Sequence, residues 1–421
     1  MDEVRCDVLV IGAGPAGSAC AMTLAARGCA VVMVDQHTFP RDKVCGDALI
    51  PDAIQALRRL GVLEQVLAEA WKPQQVRCIA PSGRSVDFGA TLAVLPRRRL
   101  DLLLVEAAIN RGARFLSGLR FVQPVEAAAV GGRVVGADFQ PSDQRNAHLH
   151  PVERVRARHT VLATGASTVS LLAAGMATRR EASAMAARLY VQWDSKRNEH
   201  DTASQGGALQ VIWNKGLSPG YGWIFPGPRG VYNLGVGTFQ SQPNADPKAR
   251  NLREMFTGFV AGNAVAHRLL QEGSVLGRLK GAPLRSTLGG ARWWRPGMLV
   301  CGEAAGSTYD FTGEGIGKAL ETGMLAAEAI VAGMSRQGAG EDPGPAYAAS
   351  LEGLQTRFEL YQRGNLINRS PWIAEVLVGL ARASPRLRTR MGLLLEEKIT
   401  PDALLSAMGL LRMMCARNLQ G

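Results

Sequence analysis

The sequence predicts an α/β fold in which a Rossmann-type dinucleotide-binding domain is interrupted by an inserted β-sheet domain and followed by a helical C-terminal cap. Three observations lead there. The first forty residues read as strand, glycine-rich turn, helix and strand. Residues 181–279 hold several short β-type runs divided by polar and Gly/Pro turns. A helical apolar repeat begins after Gly315, and a second helical, basic region occupies 345–421.

Composition narrows the classes. The chain has 421 residues, 47% hydrophobic and 20% charged, which supports a sizeable core and excludes wholesale disorder. No uncharged apolar run approaches the ~18 residues of a membrane span. Asp2 and Glu3 precede the first apolar stretch, the wrong sign for a secretory leader. Seven cysteines lie at 6, 20, 29, 45, 78, 301 and 415 without a Cys-x-x-Cys spacing. That dispersion argues against a disulfide framework or zinc site and for a reduced, cytoplasmic setting. His148 and His150 have no obvious third ligand, so no metal is expected. The net charge of +12 suits acidic partners, phosphate-bearing cofactors or anionic membranes. The arginines are scattered, with no zinc finger and no basic–aromatic alternation, so nucleic acid is not expected.

Taken in order, Cys6–Ile11 is a short β-branched run that reads as a buried parallel strand. It enters Gly12-Ala13-Gly14-Pro15-Ala16-Gly17, then an Ala-rich helix to about Arg27, then a strand from Ala30 to Val34. Gly12 permits the tight turn, Gly14 lets backbone approach a pyrophosphate, and Gly17 allows close helix–strand packing. The helix that opens at Pro15 and Ala16 offers the unpaired N–H groups of its first turn, from Ala16 on, to phosphate. Asp35, eighteen residues after Gly17, would accept ribose hydroxyls, with Gln36 beside it. Residues 76–94 read as a strand pair around Pro81-Ser82-Gly83. Thr160–Leu162 is a later strand leading into Ala163-Thr164-Gly165. Within 181–279, Ala187–Trp193, Ala208–Trp213, Gly222–Phe225 and Val231–Val236 read as strands, and 194–207 as a mobile polar loop. From Ile316, apolar residues recur at 319, 320, 323, 324, 327, 330 and 331, the spacing of a helix. Gln337–Gly344 reads as a linker. From Arg357 onward ten Lys/Arg face five Asp/Glu; this tail fits a docking helix pair, a cap over a substrate entrance, or a membrane-surface element.

Further segments resemble the FAD-binding superfamily of class A flavin monooxygenases, flavin-dependent halogenases and geranylgeranyl reductases. Phe39-Pro40-Arg41-Asp42-Lys43-Val44-Cys45-Gly46 resembles its Pro-Arg-x-Lys-x-Cys-Gly segment, which implies that Arg41 helps bind FAD with Cys45 and Gly46 beside the flavin. Arg97-Arg98-Arg99-Leu100-Asp101 matches its Arg-x-x-Leu-Asp signature and implies Arg97 near the FAD; a basic helix start accounts for Arg98 and Arg99. Cys301-Gly302-Glu303-Ala304-Ala305-Gly306 resembles its Gly-Asp-Ala-Ala-Gly motif, with Glu303 one methylene longer than the usual ribityl-binding Asp. Gly313-Glu314-Gly315-Ile316 resembles the helix start aimed at the flavin. The resemblance covers roughly residues 4–335. It implies a discontinuous FAD-binding domain of 1–75, 95–180 and 280–335, a β-sheet substrate domain of 76–94 and 181–279 roofing the flavin, and a C-terminal helical region of 345–421.

The chemistry is less determined. No second dinucleotide fingerprint occurs, so electrons would come from transiently bound NAD(P)H or from a separate reductase. Tyr221-Gly222-Trp223-Ile224-Phe225-Pro226 resembles the Tyr-x-Trp-x-Phe-Pro motif of geranylgeranyl reductases, and Tyr221, Trp223 and Phe225 would contact substrate or wall the flavin site. Asp310 stands where the family keeps Pro beside the reacting edge. It fits a base of raised pKa, or a cap pointing away. Asp47 is a weaker catalytic candidate and also fits a helix N-cap. Three functions follow. The leading expectation is a monooxygenase hydroxylating a bulky aromatic substrate through a flavin C4a-hydroperoxide. The whole chain also resembles the flavin monooxygenases of peptidyl tryptophylquinone biogenesis in quinohemoprotein amine dehydrogenase, which implies a tryptophan in a small, acidic polypeptide. The alternatives are a prenyl reductase saturating isoprenoid alkenes and a non-catalytic FAD-binding assembly partner.

Overall fold

Val8, Leu9 and Val10 are wholly buried because the strand Val4–Ile11 lies inside a parallel sheet with helices packed on it. A computed structural model describes residues 4–127, 132–143, 153–194, 207–239, 251–335 and 342–399. The first sheet runs Trp294–Arg295, Met298–Val300, Glu153–Leu162, Val4–Ile11, Val31–Asp35, Arg114–Ser117. All neighbours are parallel except the first pair. Glu153–Leu162 is shared: its first half pairs antiparallel with Val134–Pro141, its last residues parallel with Met298–Val300. The motif-bearing helix Pro15–Ala25 packs against Arg97–Asn110 and Ile316–Ser335. In the last of these, Leu320, Met324, Ala327 and Ile330 are buried, as the helical spacing requires. Each such larger side chain contributes ~1.5–3 kcal/mol.

The second sheet has seven strands, ordered Ser274–Leu284, Ala184–Gln192, Val231–Phe239, Gly220–Pro226, Leu209–Ile212, Gln75–Ile79, Ser85–Gly89. Its outer strand carries Arg278, Lys280 and Pro283, which discourage edge pairing with another chain. Two expectations shift. That strand continues to Leu284, so residues 280–284 belong to this sheet and not to the nucleotide-binding domain. Residues 252–272 form two helices, Leu252–Ala261 and Ala264–Glu272, capped by Asn251 and Asn263, in a part of the β-sheet domain for which the sequence named no element. They cover one face of the sheet through Met255, Phe256, Phe259 and Leu269.

The C-terminal region is helical: Gly344–Gly364, Leu366–Arg369, Pro371–Ala383 and Pro385–Leu395. Ile367, Ala374, Val378, Ala381 and Leu387 share a core with Val76, Cys78, Phe88 and Leu209 of the second sheet. This is a cap, one of the roles the sequence left open. Most of the polar loop 194–207, the His148/His150 stretch and residues 400–421 of the tail lie outside the described residues. Among the described residues, no helix is long and apolar enough to cross a membrane, no cluster of His, Cys, Asp or Glu could hold a metal, and all cysteines are free.

Candidate functional site

The first turn is built for a phosphate. Gly12 has φ +105° and a Cβ there would lie 2.3 Å from the Ala163 carbonyl oxygen, so only glycine closes this turn against the next strand. A Cβ on Gly14 would point at Arg41 Nη2 (3.4 Å) and Arg97 Nη2 (3.9 Å), filling the space between the turn and two guanidiniums. Helix Pro15–Ala25 begins there with no side-chain cap, leaving its first N–H groups for a ligand. Asp101 aligns both arginines. Its carboxylate takes two bonds from Arg97 (2.7 and 2.8 Å) and one contact from Arg41 (3.0 Å), while Arg41 Nε is buried without a partner. Arg98 is exposed and Arg99 pairs with Glu69 on the surface, as a basic helix start requires.

Asp35 ends its strand buried, accepting from the Ala13 N–H at 2.8 Å and the His37 N–H at 2.9 Å. Burial opposes its ionisation, but the His37 and Ala13 bonds and Arg41 outweigh it and hold the carboxyl below the usual range. Glu303 pairs with Lys43 at 2.9 Å through one oxygen, and its other oxygen is buried and unpartnered. Thr164 Oγ1 is likewise orphaned. Unpartnered buried polar atoms beside a guanidinium-lined turn fit the pyrophosphate and ribityl hydroxyls of FAD. Glu314 accepts from the Gly317 N–H at 2.8 Å, capping the helix Ile316–Ser335. Burial, with Asp52 close by, raises its pKa well above the carboxylate range.

Asp35, Arg41, Arg97, Thr164, Glu303 and Glu314 line one cavity of about 530 Å³. Its nucleotide end carries Gly12, Gly14, Pro15, Ala16, Asp35, Gln36, Arg41, Cys45, Gly46, Arg97, Glu303, Gly313, Gly315 and Ile316. Gly17 and Gly302 stand behind the wall: a Cβ on either would strike Gly12 O or Ala16 Cβ, at 1.8 and 2.5 Å. The cavity continues into an apolar chamber. Tyr221, Trp223 and Phe225, alternating on one strand face, form one wall. Trp213, Phe239 and Phe311 join them, and Ala374, Leu377, Val378, Leu387, Met391 and Leu394 of the C-terminal helices close the opposite side. Trp213, held by Asn368 at 2.9 Å, and the particular residues of the C-terminal helices that line the chamber were not found from the sequence, because nothing local marks what an amphipathic helix covers.

Asp310 is a correction. Its side chain is not among the cavity-lining groups; it accepts from Ser286 Oγ (2.8 Å) and Asn365 Nδ2 (2.9 Å), tying the flavin-side loop to the C-terminal helices. Burial raises its pKa, and both its oxygens are taken by these donors. Asp47 does line the cavity. It does not cap the following helix, whose N-cap is Ile50; it accepts the Arg97 N–H at 3.1 Å, at the start of a distant helix. Its other oxygen accepts from Tyr190 Oη (2.6 Å) and Asn233 Nδ2 (2.8 Å). Asn233 also donates to the Cys45 carbonyl and accepts from Trp223 Nε1 at 2.9 Å, locking the aromatic wall to this carboxyl. Burial raises Asp47 from 3.8 to about 6 despite these donors. From Tyr190 the polar file continues outward: Arg188 lies 3.9 Å over its ring and pairs with Asp42, which Lys280 bonds at 2.6 Å. Burial pushes the Cys45 thiol up, which disfavours a reactive thiolate there.

Comparison with known proteins gives the same picture. The family model described as an FAD-binding domain matches residues 5–206. The chain is 32% identical over 349 residues to a menaquinone reductase of Mycolicibacterium smegmatis, covering 79% of this chain and 78% of that protein. It is 27% identical to a digeranylgeranylglycerophospholipid reductase of Methanopyrus kandleri over 77% of this chain and 80% of the relative. Among solved structures, a geranylgeranyl bacteriochlorophyll reductase-like protein of Thermoplasma acidophilum superposes with a TM-score of 0.69 at 20% identity, over 100% of this chain and 98% of the other. A flavin-dependent brominase superposes with a TM-score of 0.73, also at 20% identity, over 98% and 99%; both likenesses concern the fold alone. With the glycine turn, the paired arginines and a menaquinone reductase at this identity and coverage, the chain belongs to the family of FAD-binding oxidoreductases that includes menaquinone reductase.

Proposed function

We propose that this protein is an FAD-dependent reductase that saturates a carbon–carbon double bond in a long isoprenoid chain. The observation that carries the reading is the chamber: it is walled by aromatic and aliphatic side chains on both sides and closed by the C-terminal helices. Such a space accepts an extended apolar chain and disfavours a tryptophan presented on a polypeptide, because the backbone polar groups of that polypeptide would lose water without gaining partners. The names of the relatives, a menaquinone reductase and a digeranylgeranylglycerophospholipid reductase, point to the same substrate class.

When bound and reduced, FAD would supply hydride chemistry here, with electrons from NAD(P)H or a separate reductase. Arg41, Arg97 and the first free N–H groups of helix Pro15–Ala25 would hold the phosphates, and Glu303 would hold a ribityl hydroxyl. Trp213, Tyr221 and Trp223 align the chain and keep water out. Saturation also needs a proton at the second alkene carbon. Asp47 and Glu314 are both cavity-lining acids of raised pKa; Asp47, bonded to the partly exposed Tyr190, is the one that would give that proton and recover it through Tyr190. The test is the product formed from an isoprenoid quinone. Gain of two hydrogens supports the reading. Gain of one oxygen atom from O2 on an aromatic substrate establishes hydroxylation instead, the expectation the sequence raised first.

A further inference from the structure

Helix Pro371–Ala383 uses its two faces differently. Ala374 and Val378 are buried and line the chamber, with Leu377 beside them. On the far side Trp372 is 67% exposed and Val376, four residues on, is 45% exposed; Leu366 just before is 53% exposed. Residues four apart share one helix face, so Trp372 and Val376 form one apolar ridge. Isolated exposed apolar residues are ordinary. Here the ridge rides on the helix that walls the apolar chamber, about one helix diameter (~10 Å) from its interior.

Charge accompanies the ridge. Between Pro371 and Leu395 the basic residues are Arg382, Arg386, Arg388 and Arg390. The acidic residue of that stretch, Glu375, is turned onto Ser82, whose Oγ and N–H it accepts at 2.6 and 3.0 Å. Arg382, Arg386 and Arg390 are exposed. A tryptophan and an aliphatic residue exposed on one helix face, with exposed arginines in the last turn of that helix and on the next, match the interfacial zone of an anionic bilayer, where indole sits at headgroup depth and guanidiniums attract the headgroups.

We infer that this face docks on an anionic lipid bilayer, and that the isoprenoid chain passes from the bilayer into the chamber beside helix Pro371–Ala383. The inference rests on the isoprenoid reading for the substrate's route. The docking itself is measured without substrate.

The test is co-sedimentation of the FAD-loaded full chain with vesicles of phosphatidylcholine alone and of phosphatidylcholine mixed with phosphatidylglycerol. Wild type pellets with the anionic vesicles, and raising salt weakens the binding. The double variant Trp372→Glu/Val376→Glu partitions at least ~10-fold less. It keeps its FAD content and its turnover of a short, water-soluble isoprenoid. Wild type left in the supernatant overturns the inference, and so does a double variant that binds as wild type. A double variant that changes oligomeric mass while vesicle binding is unaltered assigns the ridge to a second copy of this chain and also overturns it. Vesicle binding without alkene reduction counts against the proposed reaction and leaves the docking face standing.

Discussion

Replacing Asp47 with Asn probes stability and chemistry at once. Three donors converge on this buried carboxyl, from Arg97 N, Tyr190 Oη and Asn233 Nδ2, yet burial still raises its pKa from 3.8 to about 6. At 1.36 kcal/mol per pH unit, that displacement corresponds to ~3 kcal/mol of destabilisation once the group is charged in the fold. The folded state binds the proton more tightly than the unfolded chain. The stability contributed by Asp47 is therefore fully present below pH 3.8 and is lost as pH rises to about 6. Asn cannot ionise, but its amide faces the donors Tyr190 and Asn233, which costs ~1–3 kcal/mol at every pH. Asp47→Asn should thus be clearly less stable than wild type near pH 4 and close to it at pH 7.5, the gap narrowing by up to ~3 kcal/mol. Denaturant titrations at the two pH values read this directly. Turnover should fall by ~10²–10⁴, the usual share of a general acid, and the alkaline decline of the wild-type rate should disappear. A stability gap independent of pH, together with unaltered turnover, would refute the reasoning.

Other residues give sharper yes-or-no outcomes. Gly12→Ala puts a Cβ 2.3 Å from the Ala163 carbonyl at φ +105°, so the purified protein should lose its FAD absorbance; a variant retaining full flavin would contradict the turn assignment. Ala374→Phe intrudes into the chamber and should raise KM for long isoprenoids more than for short ones, measured by competition between chain lengths; equal effects would mean the chain does not lie there. Asp310→Ala leaves Ser286 and Asn365 without their acceptor and should cost ~1–3 kcal/mol of stability, while turnover per folded, flavin-loaded molecule stays near wild type. A collapse of turnover with stability intact would restore Asp310 as a base.

The parts legible from sequence were those whose requirements are local. Gly12, Gly14 and Gly17 sit within one turn, and the repeat from Ile316 to Ile330 declares a helix and its buried side. The resemblance of Tyr221–Pro226 to a known motif singled out Tyr221, Trp223 and Phe225, and the structure sets them on one strand face turned to the cavity. What remained hidden depends on distant partners. Asp47 meets Tyr190 and Asn233 from 143 and 186 residues away, and no spacing rule joins them. Asp310 is adjacent to cavity-lining residues, yet Ser286 and Asn365 pull its side chain off the wall, which the run Ser307–Thr312 alone could not reveal. The helices at 252–272 were missed because each is short, and their apolar residues, Met255, Phe256 and Phe259, extend over too few turns to declare a helical period.

The central claim is tested most directly by reducing the FAD-loaded protein under strictly anaerobic conditions and adding an isoprenoid quinone while following flavin absorbance. The account predicts return of the oxidised flavin spectrum without O2, in step with formation of a side chain carrying two more hydrogens. Flavin that stays reduced until O2 is admitted, with oxygen then appearing in an aromatic product, would contradict it.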